Sequence, residues 1–463
     1  MTNSLLVEAS LFGYDTFASV ADYPDSPYLP KLPTGNAVDR GWTPLELEGL
    51  TESPGVDLAD VGALVGLPEG LFTSAAHFYT GDLEGRKTLV VTYRSTDEEN
   101  EFGFQGAQFG AEYGWDFYFR AHLAATEAAL DYAATLSNGV EQVLISGHSL
   151  GGIIAELSAA RLVGAELADK TLLVTLGSPG STEVVEGVEQ LNVVHTDDFV
   201  AQLSALSPLF IAGGVAREGL DLAVDRPEAT LPRFRPTDLD TPEELLAASE
   251  IPGIRAEHPS LLYIDTAALL ASAEPYVPGV RDAEPGDMFR WLSADLDRII
   301  VGTDDAESIR VGNGNGLVFA RDGNDTVRGQ KGDDVLMAMA GDNLLDGGPG
   351  NDVIVGGLGD DTLRGGAGDD LIYLFGGRDE VDGGAGTDTA VFAGNAADFD
   401  LTVVKRKVVE VSGDGLEAML RKVELFRFDD QEFAFDGREL TPVTSLMMAS
   451  AVQDFLGLDG EIA

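Results

Sequence analysis

Between Gly323 and Ala390 the chain repeats itself every nine residues, and this period limits the possible folds more than any other feature. Counting from Asp325, an acidic or amide side chain recurs at Asp334, Asn343, Asp352, Asp361, Asp370, Asp379 and Asp388. A glycine stands two residues before each, at Gly323, Gly332, Gly341, Gly350, Gly359, Gly368, Gly377 and Gly386. An apolar residue stands two after each, at Val327, Leu336, Leu345, Ile354, Leu363, Ile372, Val381 and Ala390. A flexible Gly/Asp linker would have no use for the apolar column. Each unit therefore reads as a glycine-rich turn and a very short strand that aims one apolar side chain inward. Such a unit buries almost nothing alone, so the units must stack into a parallel β-roll.

Stacking brings the acidic column together, and a ladder of like charges is unfavourable unless neutralised. Hard cations answer this need, because Ca²⁺ takes several oxygen ligands from carboxylates and turn carbonyls. The columns resemble the calcium-binding nonapeptide repeat of RTX proteins, G-G-x-G-x-D-x-U-x. That resemblance implies several Ca²⁺ ions held by the eight Asp/Asn positions and their eight glycines. It also implies two units per turn, so that alternate units stack. One ladder is then Asp334, Asp352, Asp370 and Asp388, all acidic. The other is Asp325, Asn343, Asp361 and Asp379, where Asn343 lacks a charge, and the first is expected to bind Ca²⁺ more completely.

Composition agrees with bound cations. The 463 residues carry 79 acidic against 29 basic side chains, a net charge of -50. That excludes nucleic acid and an anionic membrane surface as the main electrostatic partner. With no cysteine there is no disulfide and no thiolate metal site. The first residues, MTNSLLVEASLFGYD, lack a basic region and a long apolar run, so a cleaved N-terminal signal is not expected. No apolar stretch reaches the roughly 20 residues of a membrane-spanning helix.

Before the repeats the texture is different. Up to about residue 300, apolar strands alternate with helical stretches, the pattern of an α/β domain. Strands are expected at Lys87–Tyr93, Val143–Ile145, Thr171–Leu176 and Leu191–His195, with helices over 116–136 and 153–162. The expected organisation is an α/β-hydrolase domain over 1–300, an all-β parallel β-roll over 301–391 and a C-terminal β module over 392–463.

The segment VLISGHSLGGIIAELSAARL holds G-x-S-x-G, Gly147 to Gly151, between a strand and a helix. That context exposes the Ser149 hydroxyl at a sharp turn with a helix N-terminus behind it. A serine needs a base, and the base needs an acid to orient it, in the chain order Ser, acid, His. LNVVHTDDFV places Asp197 and Asp198 after a strand, and His258 in AEHPSLLYI is then the downstream histidine left for the base. His148 and His195 read as structural. The oxyanion requires backbone donors: Leu150 after the nucleophile, and Ser95 or Thr96 in VVTYRST.

Together these segments resemble the lipase class 3 type of α/β-hydrolase, and especially the bacterial family I.3 lipases with RTX tails. GHSLGG is similar to their nucleophile motif, LNVVHTDDFV to their acid strand, AEHPSLLY to their histidine segment and YRST to their F-R-G-T strand. GWTPLELEGL is similar to an N-terminal segment of the same family. The resemblance implies Asp198 as the acid and Thr96 as the second oxyanion donor. Ser95 stands where the family has glycine, and the tail is shorter than is usual there. The implied activity is triacylglycerol lipase chemistry on acyl esters through Ser149, Asp198 and His258.

A short-chain carboxylesterase, phospholipase, polyester hydrolase or peptidase could share that triad. A non-enzymatic RTX calcium-binding surface protein is the reading from another class. The tail, SLMMASAVQDFLGLDGEIA, resembles the uncleaved export signals read by type I secretion transporters, which implies a secreted, extracellular protein of a Gram-negative bacterium. Two segments are candidate lids over an acyl groove: the aromatic FGFQGAQFGAEYGWDFYFR between the oxyanion strand and the elbow, and SALSPLFIAGGV at Ser204–Val215.

Overall fold

The computed structural model describes residues 5–14, 37–45, 56–60, 73–94, 116–178, 180, 185–196, 220–225, 260–284 and 287–443. The chain divides into two compact units, one formed mainly by residues up to Ser293 and the other by Ala294 onward with short pieces at 225–228 and 275–282.

The first unit is built on a mostly parallel sheet. Its strands run in the spatial order Thr73–Leu83, Arg86–Arg94, Gln142–His148, Thr171–Leu176, Glu189–His195 and Leu220–Asp225. Thr73–Leu83 and Arg86–Arg94 form an antiparallel hairpin, and every later neighbour is parallel. The central strands are apolar on both faces because helices cover both, as parallel sheets require. Leu89, Val91, Val143, Ile145 and Leu173 pack with the helices Asp116–Ala134 and Leu150–Leu162. The alternate residues Val90, Leu144 and Leu172 are equally buried. Helix Leu5–Tyr14 lies on helix Ser260–Ala273 and on the same central strands. It is tied down by Glu8, which accepts from the Trp42 indole at 2.9 Å and pairs with Arg40 at 3.1 Å.

A buried polar group lies between the hairpin and the first two crossover helices. The Tyr93 hydroxyl meets Thr126 Oγ1 at 2.7 Å and receives a hydrogen bond from Ser158 at 2.8 Å. His122 lies beside them, and burial, with the nearby His77, pushes its pKa down from 6.5 to about 4. The unfolded chain therefore takes up a proton near pH 6.5 that the folded one refuses until about pH 4. Stability is lost as pH falls through that window, by about 3 kcal/mol at most from this group. His122→Gln is expected to flatten the fall in unfolding free energy over that range. Equal slopes for variant and wild type in chemical denaturation would remove His122 as the cause.

The second unit is the expected roll. One sheet stacks Ser308–Asn313, Thr326–Lys331, Leu344–Pro349, Thr362–Ala367 and Gly377–Ala385 in parallel. The facing sheet stacks Arg298–Val301, Gly316–Asp322, Val335–Ala340, Val353–Val355, Leu371–Leu374 and Thr389–Phe392. The register advances 18 residues per turn, as in Leu345↔Leu363 and Ile354↔Ile372, so two units make one turn. All eight residues of the apolar column are buried and form the core between the sheets. The glycine column lets successive turns stack closely: a Cβ at Gly350 would come within 1.9 Å of the Gly332 carbonyl oxygen.

Stacking continues past Val391. Leu416–Arg421 adds in parallel to Gly377–Ala385, and Leu425–Arg427 to Thr389–Phe392. Antiparallel strands then follow, Val408–Gly413 and Asp400–Lys405 ending one sheet and Glu432–Phe435 and Leu440–Pro442 the other. Buried Phe392, Phe426 and Phe428 fill the core at this end. No helix among the described residues is long and apolar enough to cross a membrane.

Candidate active site and calcium ladder

Strand Gln142–His148 runs into helix Leu150–Leu162 through one residue, Ser149. Its backbone has φ 56° and ψ −125°, a region that costs a non-glycine residue roughly 1–3 kcal/mol. The turn is held on both sides. The Ser149 N–H donates to the Leu176 carbonyl at 2.9 Å, and the Gly152 N–H donates to the Ser149 carbonyl at 3.0 Å. Two glycines permit the approach. A Cβ at Gly147 would meet the Gly151 carbonyl at 2.3 Å, and one at Gly152 would meet Ser178 Cβ at 2.5 Å. Leu150 follows as the first helical residue, where the backbone N–H has no acceptor within the helix. This is the geometry that presents a hydroxyl and a nearby amide to one substrate carbonyl.

The parallel register puts the ends of the neighbouring strands beside this turn. Tyr93 is opposite Gly147, His148 opposite Leu176, and Leu176 opposite Val193. The strand leading to Thr96 is thus adjacent to the strand leading to Ser149. The strand leading to Asp197 and Asp198 is two places away, about 10 Å by ordinary strand spacing. Helix Ser260–Ala273 starts two residues after His258. Ser95, Thr96, Asp197, Asp198 and His258 themselves lie outside the described residues, as do both candidate lids except for the start of helix Asp116–Ala134. Within that start, Phe119 is buried in the core under the Arg161 guanidinium, 4.8 Å from its ring centre.

Tyr263 and Glu156 were not foreseen from the sequence. The Tyr263 ring stacks flat on His195 at 4.0 Å and lies 5.5 Å from His148. Its hydroxyl accepts from the His195 N–H at 3.2 Å, while His195 Nε2 meets Thr266 Oγ1 at 2.9 Å. One aromatic side chain thus touches the residue before Ser149 and the last residue of strand Glu189–His195. Below the elbow, Ser178 donates to the buried Glu156 at 3.1 Å and accepts from the Gly180 N–H at 3.1 Å. Tyr263 closes the segment AEHPSLLY and Glu156 lies on the helix after the elbow, but only the three-dimensional packing shows what either side chain touches.

The roll holds its acids in two hydrogen-bonded ladders. The Oδ1 atom of Asp352 accepts from the Asp334 N–H at 2.8 Å, that of Asp370 from Asp352 at 2.9 Å, and that of Asp388 from Asp370 at 3.1 Å. On the other ladder Asn343, Asp361 and Asp379 accept in the same way from Asp325, Asn343 and Asp361. The other oxygens, Oδ2 of Asp325, Asp334, Asp352, Asp361, Asp370 and Asp388, are buried without a hydrogen-bond partner. Burial, joined by neighbouring carboxylates, pushes Asp352 up to about 8 and Asp370 to about 7. Orphaned, crowded carboxylate oxygens of this kind suit a hard cation. Among the described residues no three His, Asp or Glu side chains cluster, so an ion here must also draw on main-chain carbonyls.

A second Asp/Asn column, one residue earlier, bonds in the opposite sense. Asn315, Asp333, Asn351 and Asp369 accept from the N–H of Asp333, Asn351, Asp369 and Thr387 in the next turn. These exposed groups clip the turns together from outside. The paired N-D and D-D of the repeat carry this signal in the sequence.

Residues 113–207 match the lipase (class 3) family, and 301–336, 319–354, 328–363 and 355–390 match the RTX calcium-binding nonapeptide repeat. The fold is similar to that of extracellular lipase LipA from Serratia marcescens, with 15% identity, 90% of this chain and 94% of that chain covered, and a TM-score of 0.46. A lipase from Rhizopus microsporus var. chinensis is similar over 36% of this chain and 60% of that chain, with 18% identity and a TM-score of 0.23. No curated protein matches the sequence. The chain carries a lipase class 3 domain and RTX calcium-binding repeats.

Proposed function

We propose that this lipase domain with its RTX repeats is a secreted, calcium-folded serine hydrolase of long-chain acyl esters. The observation that carries the reading is Ser149, held in strained backbone between a central strand and a helix N-terminus. Ser149 Oγ attacks the ester carbonyl while His258 takes its proton, and Asp198 orients and stabilises the imidazolium. The amides of Leu150 and Thr96 donate to the oxyanion. His258 returns the proton to the departing alcohol, water then attacks the acyl-enzyme with His258 as base, and the fatty acid leaves. Ca²⁺ bound by the Asp column of the roll and nearby turn carbonyls would supply the positive charge that lets the carboxylate ladders stack. Folding of the roll waits for the calcium outside the cell, and a type I secretion transporter reads the C-terminal segment beyond residue 443.

A series of p-nitrophenyl esters from short to long acyl chains, with calcium present, tests the substrate. Turnover that rises toward long chains is expected. An optimum at short chains would make the protein a carboxylesterase on the same triad, and preference for a phospholipid or polyester in parallel assays would reassign the substrate class.

A further inference from the structure

The two long edges of the roll are not equivalent. The turns after strands Thr326–Lys331, Leu344–Pro349, Thr362–Ala367 and Gly377–Ala385 lead to Asp334, Asp352, Asp370 and Asp388. Five residues before each of these acids stands a glycine: Gly329, Gly347, Gly365 and Gly383. A Cβ there would lie 2.3, 2.3, 2.2 and 2.5 Å from the acid's unpartnered Oδ2. Carbonyl oxygens converge on the same side: Gly347 at 2.5 Å from the first of these positions, Gly383 at 2.5 Å from the third and Lys422 at 2.3 Å from the fourth. Bare glycine backbone is what leaves the carboxylates and carbonyls space to face one another.

On the opposite edge the corresponding positions before Asp325, Asn343, Asp361 and Asp379 are Ala320, Ala338, Gly356 and Leu374. Side chains occupy three of the four. Asn343 turns its amide Nδ2 to the Gly341 carbonyl at 2.9 Å, placing a hydrogen-bond donor where a cation would need an oxygen. Met339, Leu358 and Phe375 stand exposed along this edge, at 40%, 59% and 40%. The orphaned Oδ2 atoms of Asp325 and Asp361 are separated by Asn343, and Asp379 has Leu374 rather than a glycine five residues before it. No two successive turns of this edge offer both carboxylates and both open glycines.

We propose that calcium loads the roll along the Asp334–Asp388 edge alone, in the gaps Asp334/Asp352, Asp352/Asp370 and Asp370/Asp388. The opposite edge is closed by its own side chains and held by hydrogen bonds and apolar contact. The proposal rests on reading the repeats as calcium sites, and the two can fail separately.

Equilibrium dialysis of the full chain against radioactive Ca²⁺ compares wild type with Asp352→Asn/Asp370→Asn and with Asp361→Asn/Asp379→Asn. The first pair is expected to lose at least half of the bound calcium and the second to keep all of it. Equal losses, or a larger loss from the second pair, overturn the edge assignment while leaving calcium binding intact. A wild type that binds no calcium overturns both. Anomalous scattering from a terbium-loaded wild-type crystal decides the matter without a variant: peaks beside Asp352 and Asp370 only are expected, and peaks beside Asp361 sink the proposal.

Discussion

Replacing Ser149 by alanine is expected to lower kcat for an acyl ester by about 10⁴-fold or more while leaving KM nearly unchanged. In the proposed mechanism the hydroxyl supplies the bond-forming atom, whereas the Leu150 amide and the binding surface remain, so substrate still docks. Ser149→Gly separates catalysis from folding. The serine holds φ 56° and ψ −125°, which glycine adopts without the cost carried by a Cβ. The glycine variant should therefore lose activity like alanine yet unfold at a higher temperature than wild type. Cutting at the same site gives one substitution two opposite signs. Hydrolysis retained in the alanine variant would dismiss Ser149 as the nucleophile. A glycine variant that melts below wild type would mean that the turn stores no strain, and that the side chain stabilises the elbow.

The sequence announced the parts of this molecule that depend on local pattern. The nine-residue columns predicted which side chains face the core, because a stacked turn repeats its environment and Val327 through Ala390 meet the same one. G-x-S-x-G between an apolar run and an Ala/Leu-rich helix located Ser149 for a similar reason: the strand, turn and helix are contiguous in the chain. Contacts made by distant segments were not legible. Tyr263 reaches His195 and the neighbourhood of His148 from a helix that begins far along the chain, and a tyrosine among alanines and leucines carries no sign of that. Glu156 likewise looks like a surface acid on a helix until the Ser178 turn covers it. The unequal edges of the roll were half visible. Asn343 stood out as an uncharged member of its column, but the meaning of Ala320, Ala338 and Leu374 required knowing which turn oxygens their neighbours face.

Removing calcium is expected to unfold the roll at neutral pH. Buried carboxylates are stacked at every turn, each with one oxygen accepting a backbone N–H and most with the second oxygen unpartnered. Backbone hydrogen bonds and the apolar column hold the turns, and the outer Asp/Asn clips add to them. Against these stands the cost of desolvating like charges beside one another, several kcal/mol for each uncompensated ion. A cation present at 100 times its dissociation constant adds about 2.7 kcal/mol for each site, so a few sites contribute on the order of a whole domain's net stability. Chelation should therefore abolish the β signal of the roll in circular dichroism and open Arg328, Lys331, Arg364 and Arg378 to trypsin. Calcium should restore both, and magnesium should not, because Mg²⁺ demands a tighter octahedron and gives up its water reluctantly. Protection that survives the chelator would mean that the hydrogen-bonded ladders and the Val327–Ala390 core outweigh the buried charge without help. Protection restored equally by magnesium would mean that screening, rather than a site shaped for calcium, holds the turns together.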